Sequence, residues 1–320
     1  MNIETFQSLS TLEIAAVVRS NQINVCSFTF NGTRRWFQLE HPDQSHDLRA
    51  YIDALTSQVI HIAEMLFAHG LDTVIMPVIS RRVLENRDDA YRAVALPALQ
   101  FLLTDQKFLN FYEDYQVDAF IYGEFEGELS AATAQQLRAQ YRRFQEEQPT
   151  GRKRRIFWGI CATDTATTLI QQTVAHLKEY NQPPSRADLV RGYYGADVAS
   201  LDIHIGSGKP QVFDVPLLMS GRESLYFMTA PSPYFSAPQL RTILFDHIYG
   251  RAPLNRYDRI SPHANSELGA FYRYNAEHTL GVGHFHQPWG VWHPEDQPLI
   301  FPEPELGIPG IGADLVLTGQ

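Results

Sequence analysis

The chain has 320 residues, with 26 Lys+Arg against 36 Asp+Glu and a formal charge of −10. Its 44% hydrophobic and 19% charged residues suit a chain that buries a core, which excludes wholesale disorder, and the acidic balance leaves no general footprint for nucleic acid. Cys26 and Cys161 are too few for a disulfide scaffold and lack the spacing of a zinc site, so both read as small core residues of a reduced protein.

The N-terminal stretch has no basic n-region, and no segment reaches the roughly eighteen apolar residues of a membrane span, so the expected location is cytoplasmic. Short apolar runs follow at Ile23–Phe30, Thr73–Ile79, Val117–Tyr122, Ile156–Cys161, Leu201–Ile205 and Leu225–Thr229. Several are almost continuously apolar, as in strands covered on both faces. Between the first two, Ile52, Leu55, Val59, Ile62 and Leu66 recur at helical spacing and Gly70 supplies a stop. Further helices are predicted near Tyr91–Leu103, Ala132–Phe144, Thr165–Tyr180 and Pro238–Tyr249, the last with Ser236 as cap and Gln239 three residues on. Asp88, Asp89 and Asp164 read as helix-start residues. The basic run within 145–155 reads as a solvated surface loop.

This alternation predicts an α/β fold with about six strands in a mainly parallel sheet flanked by helices. After Gly250 the pattern decays. Residues 1–250 therefore read as one α/β domain, and 251–320 as an irregular extension packed on it or on a partner subunit.

The most informative stretch is Asn31-Gly32-Thr33-Arg34-Arg35-Trp36, just after the first strand. A glycine there permits a tight turn, and paired guanidiniums at the carboxyl end of a parallel sheet suit an anion, because each planar fork donates two parallel hydrogen bonds. By themselves the two arginines read equally well as surface charges. Gly206-Ser207-Gly208-Lys209 lacks the earlier glycine of a nucleotide loop, and Pro210 stands where Ser or Thr would bind magnesium. His284, His286 and His293 have no carboxylate at helical spacing and read as loop histidines.

FNGTRRWFQLE, GYYGADV, FDVPLL and the closing GVGHFH, taken in order, resemble the cis-prenyltransferase superfamily, the fold of undecaprenyl diphosphate synthase. Within it the chain is more similar to the branch of tuberculosinyl transferases and kolavelool synthases. That resemblance implies an enzyme acting on a bicyclic C20 allylic diphosphate, kolavenyl or tuberculosinyl (halimadienyl), made by a separate class II cyclase, since no DDxxD or DxDD cluster is present.

The resemblance further implies that Gly32, Thr33, Arg34 and Arg35 bind the diphosphate. Trp36, Tyr51 and Tyr91 would line the substrate pocket, and Asn31, Arg34, Arg35, Tyr51 and Tyr91 would carry catalysis. A homodimer is expected by the same analogy. Elongating members of the superfamily hold a second diphosphate with two arginines; aligned on Gly208, those positions are Ile205 and Gln211 here. Asn31 and Ser224 replace the superfamily's metal carboxylates, which weakens the Mg2+ requirement that the resemblance implies.

The expected product is a diterpene alcohol formed by water capture. Transfer to adenosine, cis-prenyl chain elongation, and a non-catalytic diphosphate-binding subunit stay open.

Overall fold

A computed structural model describes residues 1–80, 85, 99–123, 131–148, 150–161, 164–251, 261–296 and 298–301. The chain divides into two compact units, one over Ser10–Leu240 and the other comprising Met1–Leu9 and the described residues from Arg241 onward.

The larger unit is built on six parallel strands: β1 (Val25–Phe28), β2 (Thr73–Ser80), β3 (Val117–Tyr122), β4 (Arg154–Cys161), β5 (Ile203–Ser207) and β6 (Ser224–Met228). They lie in the order β3-β4-β2-β1-β5-β6. Every residue of β1 and β5 is buried, as the unbroken apolar runs require of strands covered on both faces. Pro77 shifts the register of β2 against β4, because it can donate no ladder hydrogen bond.

The helices of this unit are α2 (Thr11–Ser20), α3 (Thr33–Glu40), α4 (Leu48–Ala68), α5 (Phe101–Thr104), α6 (Gln106–Asp114), α7 (Ala131–Glu147), α8 (Thr165–Tyr180) and α9 (Arg186–Tyr194). Their starts follow the local chemistry. Ser10 and Glu13 form a reciprocal capping box on α2, and the Asp164 carboxylate accepts from Thr167 N at 3.0 Å. Of the helix expected near Tyr91–Leu103, α5 supplies the end, and residues 86–98 lie outside the described residues, as do Asp88 and Asp89.

One face of the sheet is closed by α9 and the β5–β6 connection. Val25, Ile75, Tyr122 and Phe157 from four strands pack there against Tyr193, Tyr194, Val215 and Leu218. Each large side chain buried in this way contributes about 1.5–3 kcal/mol. Asp202 aligns β5 with β1, its Oδ2 accepting from Asn24 N at 2.8 Å and Val25 N at 2.9 Å. Asp214, in the covering connection, takes a left-handed backbone at φ 58°, and Tyr122 Oη donates to its carbonyl at 2.8 Å. Its Oδ2 is buried with no hydrogen-bond partner among the described residues, and burial pushes the carboxyl up to about 7.

The basic run is not a solvated loop. α7 continues to Glu147, and Arg154 and Arg155 open β4. The Arg152 side chain is 5% exposed and donates to Tyr112 O at 2.8 Å, Val117 O at 3.1 Å and Glu113 Oε2 at 2.6 Å. Arg154 reaches Tyr115 O at 2.8 Å, and Arg155 reaches Asp197 O at 2.6 Å. Carbonyls at the ends of neighbouring elements need donors, and guanidiniums supply several each.

Cys26 is fully buried, as expected of a core thiol; the side-chain burial expected of Cys161 lies outside the described residues.

In the smaller unit, α1 (Ile3–Ser8) lays Phe6 against Phe245 and Tyr249, with ring centroids 5.7 and 6.1 Å apart. Phe245 ends α10 (Ala237–Phe245), which continues as a π-helical turn over Asp246–Gly250. Part of the tail read as irregular is regular: α11 spans Pro262–Tyr274, and β7 (Gly283–His286) pairs antiparallel with β8 (Val291–Pro294). Its loop histidines thus stand on a hairpin. Among the described residues no helix is long and apolar enough to cross a membrane.

Candidate functional site

β1 and β5 are neighbours, yet the chain leaves β1 toward β2 on one side and leaves β5 toward β6 on the other. Such a divergence opens a crevice beyond the carboxyl ends of the strands, where open α/β sheets bind ligands. The two motifs singled out in the sequence, Asn31–Arg35 and Gly206–Lys209, follow these two strands.

After Thr29, whose N–H still donates to Ile205 O at 3.0 Å, the chain turns at Gly32 with φ 72°. A Cβ added there would lie 3.0 Å from Pro231 Cβ and 3.2 Å from its Cα, so both conformation and space call for glycine. α3 begins at once, with Trp36 N donating to Gly32 O at 2.9 Å. The N–H groups of its first turn precede that bond and carry the positive end of the helix dipole. Arg34 and Arg35 are exposed on the same turn. Trp36 is 9% exposed and set edge-on to His41, with ring centroids 6.1 Å apart, within the packing beneath α3.

Both ends of the Asn31 carboxamide are engaged. Nδ2 donates to Ser207 O at 2.9 Å, and Oδ1 accepts from Gly32 N at 2.8 Å. Gly208 makes the first bond possible: at φ 83° it turns away after β5, and a Cβ on it would stand 3.2 Å from Asn31 Nδ2. No helix follows Gly208, whose N–H donates to Met228 O at 2.8 Å. Gly206–Lys209 is therefore a support for Asn31, with nothing of a nucleotide loop.

Tyr51 lies on the first turn of α4, which Asp47 caps by accepting from Arg49 N and Ala50 N at 2.9 and 3.0 Å. Its hydroxyl is 2.8 Å from Thr33 Oγ1, and its ring meets Phe37 edge-on at 5.5 Å. The structure thus brings Tyr51 to the Asn31–Trp36 motif. Arg34, Phe37, Asp47 and Tyr51 line a cavity of about 120 Å³ between α3 and α4. That volume suits a polar group and falls well short of the roughly 300–1,000 Å³ of ordinary small-molecule sites. Tyr91 lies outside the described residues.

The other motif positions do not converge. Ile205 is buried inside β5, and Gln211 is exposed in the connection after it. Ser224 opens β6 in register with Ile203, which pairs with Cys26, so it lies well before the end of β1 where Asn31 stands. A divalent cation does not fit this donor set. Asn31 offers only a neutral amide oxygen that already accepts from Gly32 N, Ser224 is remote and neutral, and no group of three or more His, Cys, Asp or Glu side chains placed to hold a metal occurs among the described residues. Ser207 stood within a motif read only as a failed nucleotide loop, and Ser232, which also supports the turn, carries no motif signal and was not legible in the sequence.

No family model matches the chain. The tuberculosinyl adenosine transferase of Mycobacterium tuberculosis (strain CDC 1551 / Oshkosh) is 36% identical over 293 residues, covering 91% of this chain and 97% of that protein. The (+)-kolavelool synthase of Herpetosiphon aurantiacus is 20% identical over 272 residues, covering 84% and 88%. Among solved structures, lavandulyl diphosphate synthase from Lavandula x intermedia matches with a TM-score of 0.50 at 13% identity, covering 70% of this chain and 94% of that one. A probable undecaprenyl diphosphate synthase from Campylobacter jejuni matches with a TM-score of 0.50 at 10% identity, over 70% and 95%. The 36% identity over nearly the whole chain shows the family and the solved structures show the fold: the chain belongs to the family of tuberculosinyl adenosine transferase, built on the cis-prenyltransferase fold.

Proposed function

We propose that the protein ionises a preformed bicyclic C20 allylic diphosphate, kolavenyl or tuberculosinyl, and that water captures the cation to give a diterpene alcohol. The observation that carries this reading is the turn at Gly32. There a helix start, two exposed arginines and the Thr33–Tyr51 hydroxyl pair meet beyond the ends of β1 and β5.

Ionisation breaks the allylic C–O bond and leaves its electron pair on the diphosphate. Arg34, Arg35 and the first-turn N–H groups of α3 hold that charge. The hydrocarbon lies along α4, where Tyr51, Ile52, Leu55 and Val59 form a half-covered face at helical spacing. Aromatic faces near the allylic cation stabilise it. Water adds at the tertiary carbon, and its proton passes to the departing diphosphate, directly or relayed through the Thr33–Tyr51 hydroxyl pair. Neither Asn31 nor Ser224 offers magnesium a carboxylate, so the leaving group's charge falls to the arginines and N–H groups.

Adenosine as acceptor is a second reading, favoured by the 36% identity to a protein named for that transfer. Chain elongation is disfavoured, because the position of its second diphosphate arginine is the buried Ile205.

Incubation of the purified protein with bicyclic C20 diphosphates, with and without adenosine and in chelator or magnesium, followed by mass spectrometry and diphosphate assay, tests these readings. The expected result is a C20 alcohol and one diphosphate per product, persisting in chelator. A product carrying both adenine absorbance and the terpene mass decides for adenosine. No diphosphate release from any such substrate overturns the reading.

A further inference from the structure

Asn31, which aims the turn at Gly32, is held from a second side by a segment that no motif marks. Ser232 sits on a 3-10 turn after β6, between Pro231 and Pro233, and is 0% exposed. Its hydroxyl accepts from Asn31 N at 2.8 Å and donates to Asn31 O at 2.9 Å, and its own N–H donates to the same carbonyl at 3.0 Å. One serine therefore satisfies both main-chain groups of the residue that precedes the N-cap Gly32.

Pro231 lies against Gly32 on the face where a Cβ would clash. Gln58 of α4 donates to Pro233 O, tying the same turn to the helix that bears Tyr51. The flanking prolines fix φ on both sides of Ser232, so the turn is stiff before any ligand arrives.

We propose that Ser232 is a positioning residue for diphosphate: it presets the Asn31–Gly32 turn so that the first-turn N–H groups of α3 and the two arginines converge on the anion. The physical case is preorganisation. In a chain of net charge −10, an anion gains little from the general field, so donors already aimed at it matter more than charge alone. A carboxylate–metal pair could otherwise fix such a turn. Here a buried hydroxyl does so, with the Asn31 carboxamide on Ser207 O as the opposite hold. This inference rests on the reading of the turn as a diphosphate site.

The test is calorimetric binding of inorganic diphosphate to the full chain, together with melting temperature and steady-state kinetics, for wild type, Ser232→Ala and Arg35→Ala. In Ser232→Ala we expect the dissociation constant for diphosphate and the KM for the allylic diphosphate to rise about tenfold, the effect of losing a pair of buried hydrogen bonds. Melting temperature should fall by a few degrees, the cost of leaving Asn31 N without its partner, and kcat should fall less than KM rises. Should Ser232→Ala fail to fold, Ser232→Cys, close in size and a weak hydrogen-bonding partner, carries the same measurement. Unchanged diphosphate affinity in the folded Ser232 variant, with affinity lost in Arg35→Ala, overturns the positioning role and leaves the diphosphate site standing. Absence of binding in wild type overturns both.

Discussion

The ends of β1 and β5 make an instructive pair. Both strands are fully buried, both run the same way side by side, and both give onto a left-handed glycine, Gly32 at φ 72° and Gly208 at φ 83°. After Gly32 a helix begins at once, with arginines on its first turn. After Gly208 the chain enters Lys209-Pro210 and a long connection, and the glycine N–H is already bonded to Met228 O. A glycine turn at the end of a parallel strand is thus not a ligand site in itself. What distinguishes β1 is a helix start whose first-turn donors precede the first intrahelical bond. The turn after β5 serves it by presenting Ser207 O to Asn31.

This division of labour can be broken by substitution. The largest effect is expected at the arginines: Arg35→Ala should lower turnover about a thousandfold or more, as loss of a charge-stabilising donor does, without unfolding the chain. Lys209→Ala, an exposed cation on the β5 side, should stay within about twofold of wild type. Equal losses from the two, in parallel assays of diphosphate release, would erase the distinction.

Gly32→Ala comes next. It forces a left-handed φ on alanine at roughly 1–2 kcal/mol and drives a Cβ to 3.0 Å from Pro231. Melting temperature and diphosphate affinity should fall together, and a variant with wild-type affinity would show that the turn does not aim the site.

The smallest effect lies on the β5 side and concerns stability alone. The Asp214 carboxyl, ordinarily at 3.8, is pushed up to about 7 by burial. Between those values the folded chain keeps a proton that the unfolded chain has released. This group's contribution is therefore full below its unfolded value and is lost as pH rises through about 7. His204, buried in β5 and held near 4 from an ordinary 6.5, has the opposite sign: its contribution is present above 6.5 and lost as pH falls toward 4. Asp214→Asn should melt higher than wild type at about pH 8, with the gap closing toward about pH 4, while diphosphate affinity is unchanged. A gap that persists unaltered across that range would mean burial does not hold the proton.

Much of the fold was legible because strand runs and helical periodicity are local signals. All six apolar runs became strands of one parallel sheet, and Asp164 capped its helix as read. The basic run was misread because charge pattern carries no information about which carbonyls lack donors. Arg152 is buried for the sake of Tyr112 O and Val117 O, which the sequence places far upstream. In the site, Asn31–Trp36 was legible as one contiguous motif, and Tyr51 through family likeness. Ser232 was not, since it meets Asn31 across 201 positions and a serine between prolines looks like any turn. The tail's helix and hairpin were masked by its prolines and glycines.

The clasp at Asn31 also bears on how such a site changes through descent. An aspartate at 31 would present a carboxylate oxygen to Ser207 O, where the amide now donates, so restoring the acid without moving that carbonyl meets repulsion between two acceptors. Positions 31, 207–208 and 231–232 are coupled in this way, and drift at one is constrained by the others. In a lineage of homologous chains, an acid at 31 should therefore arrive together with a different turn after β5.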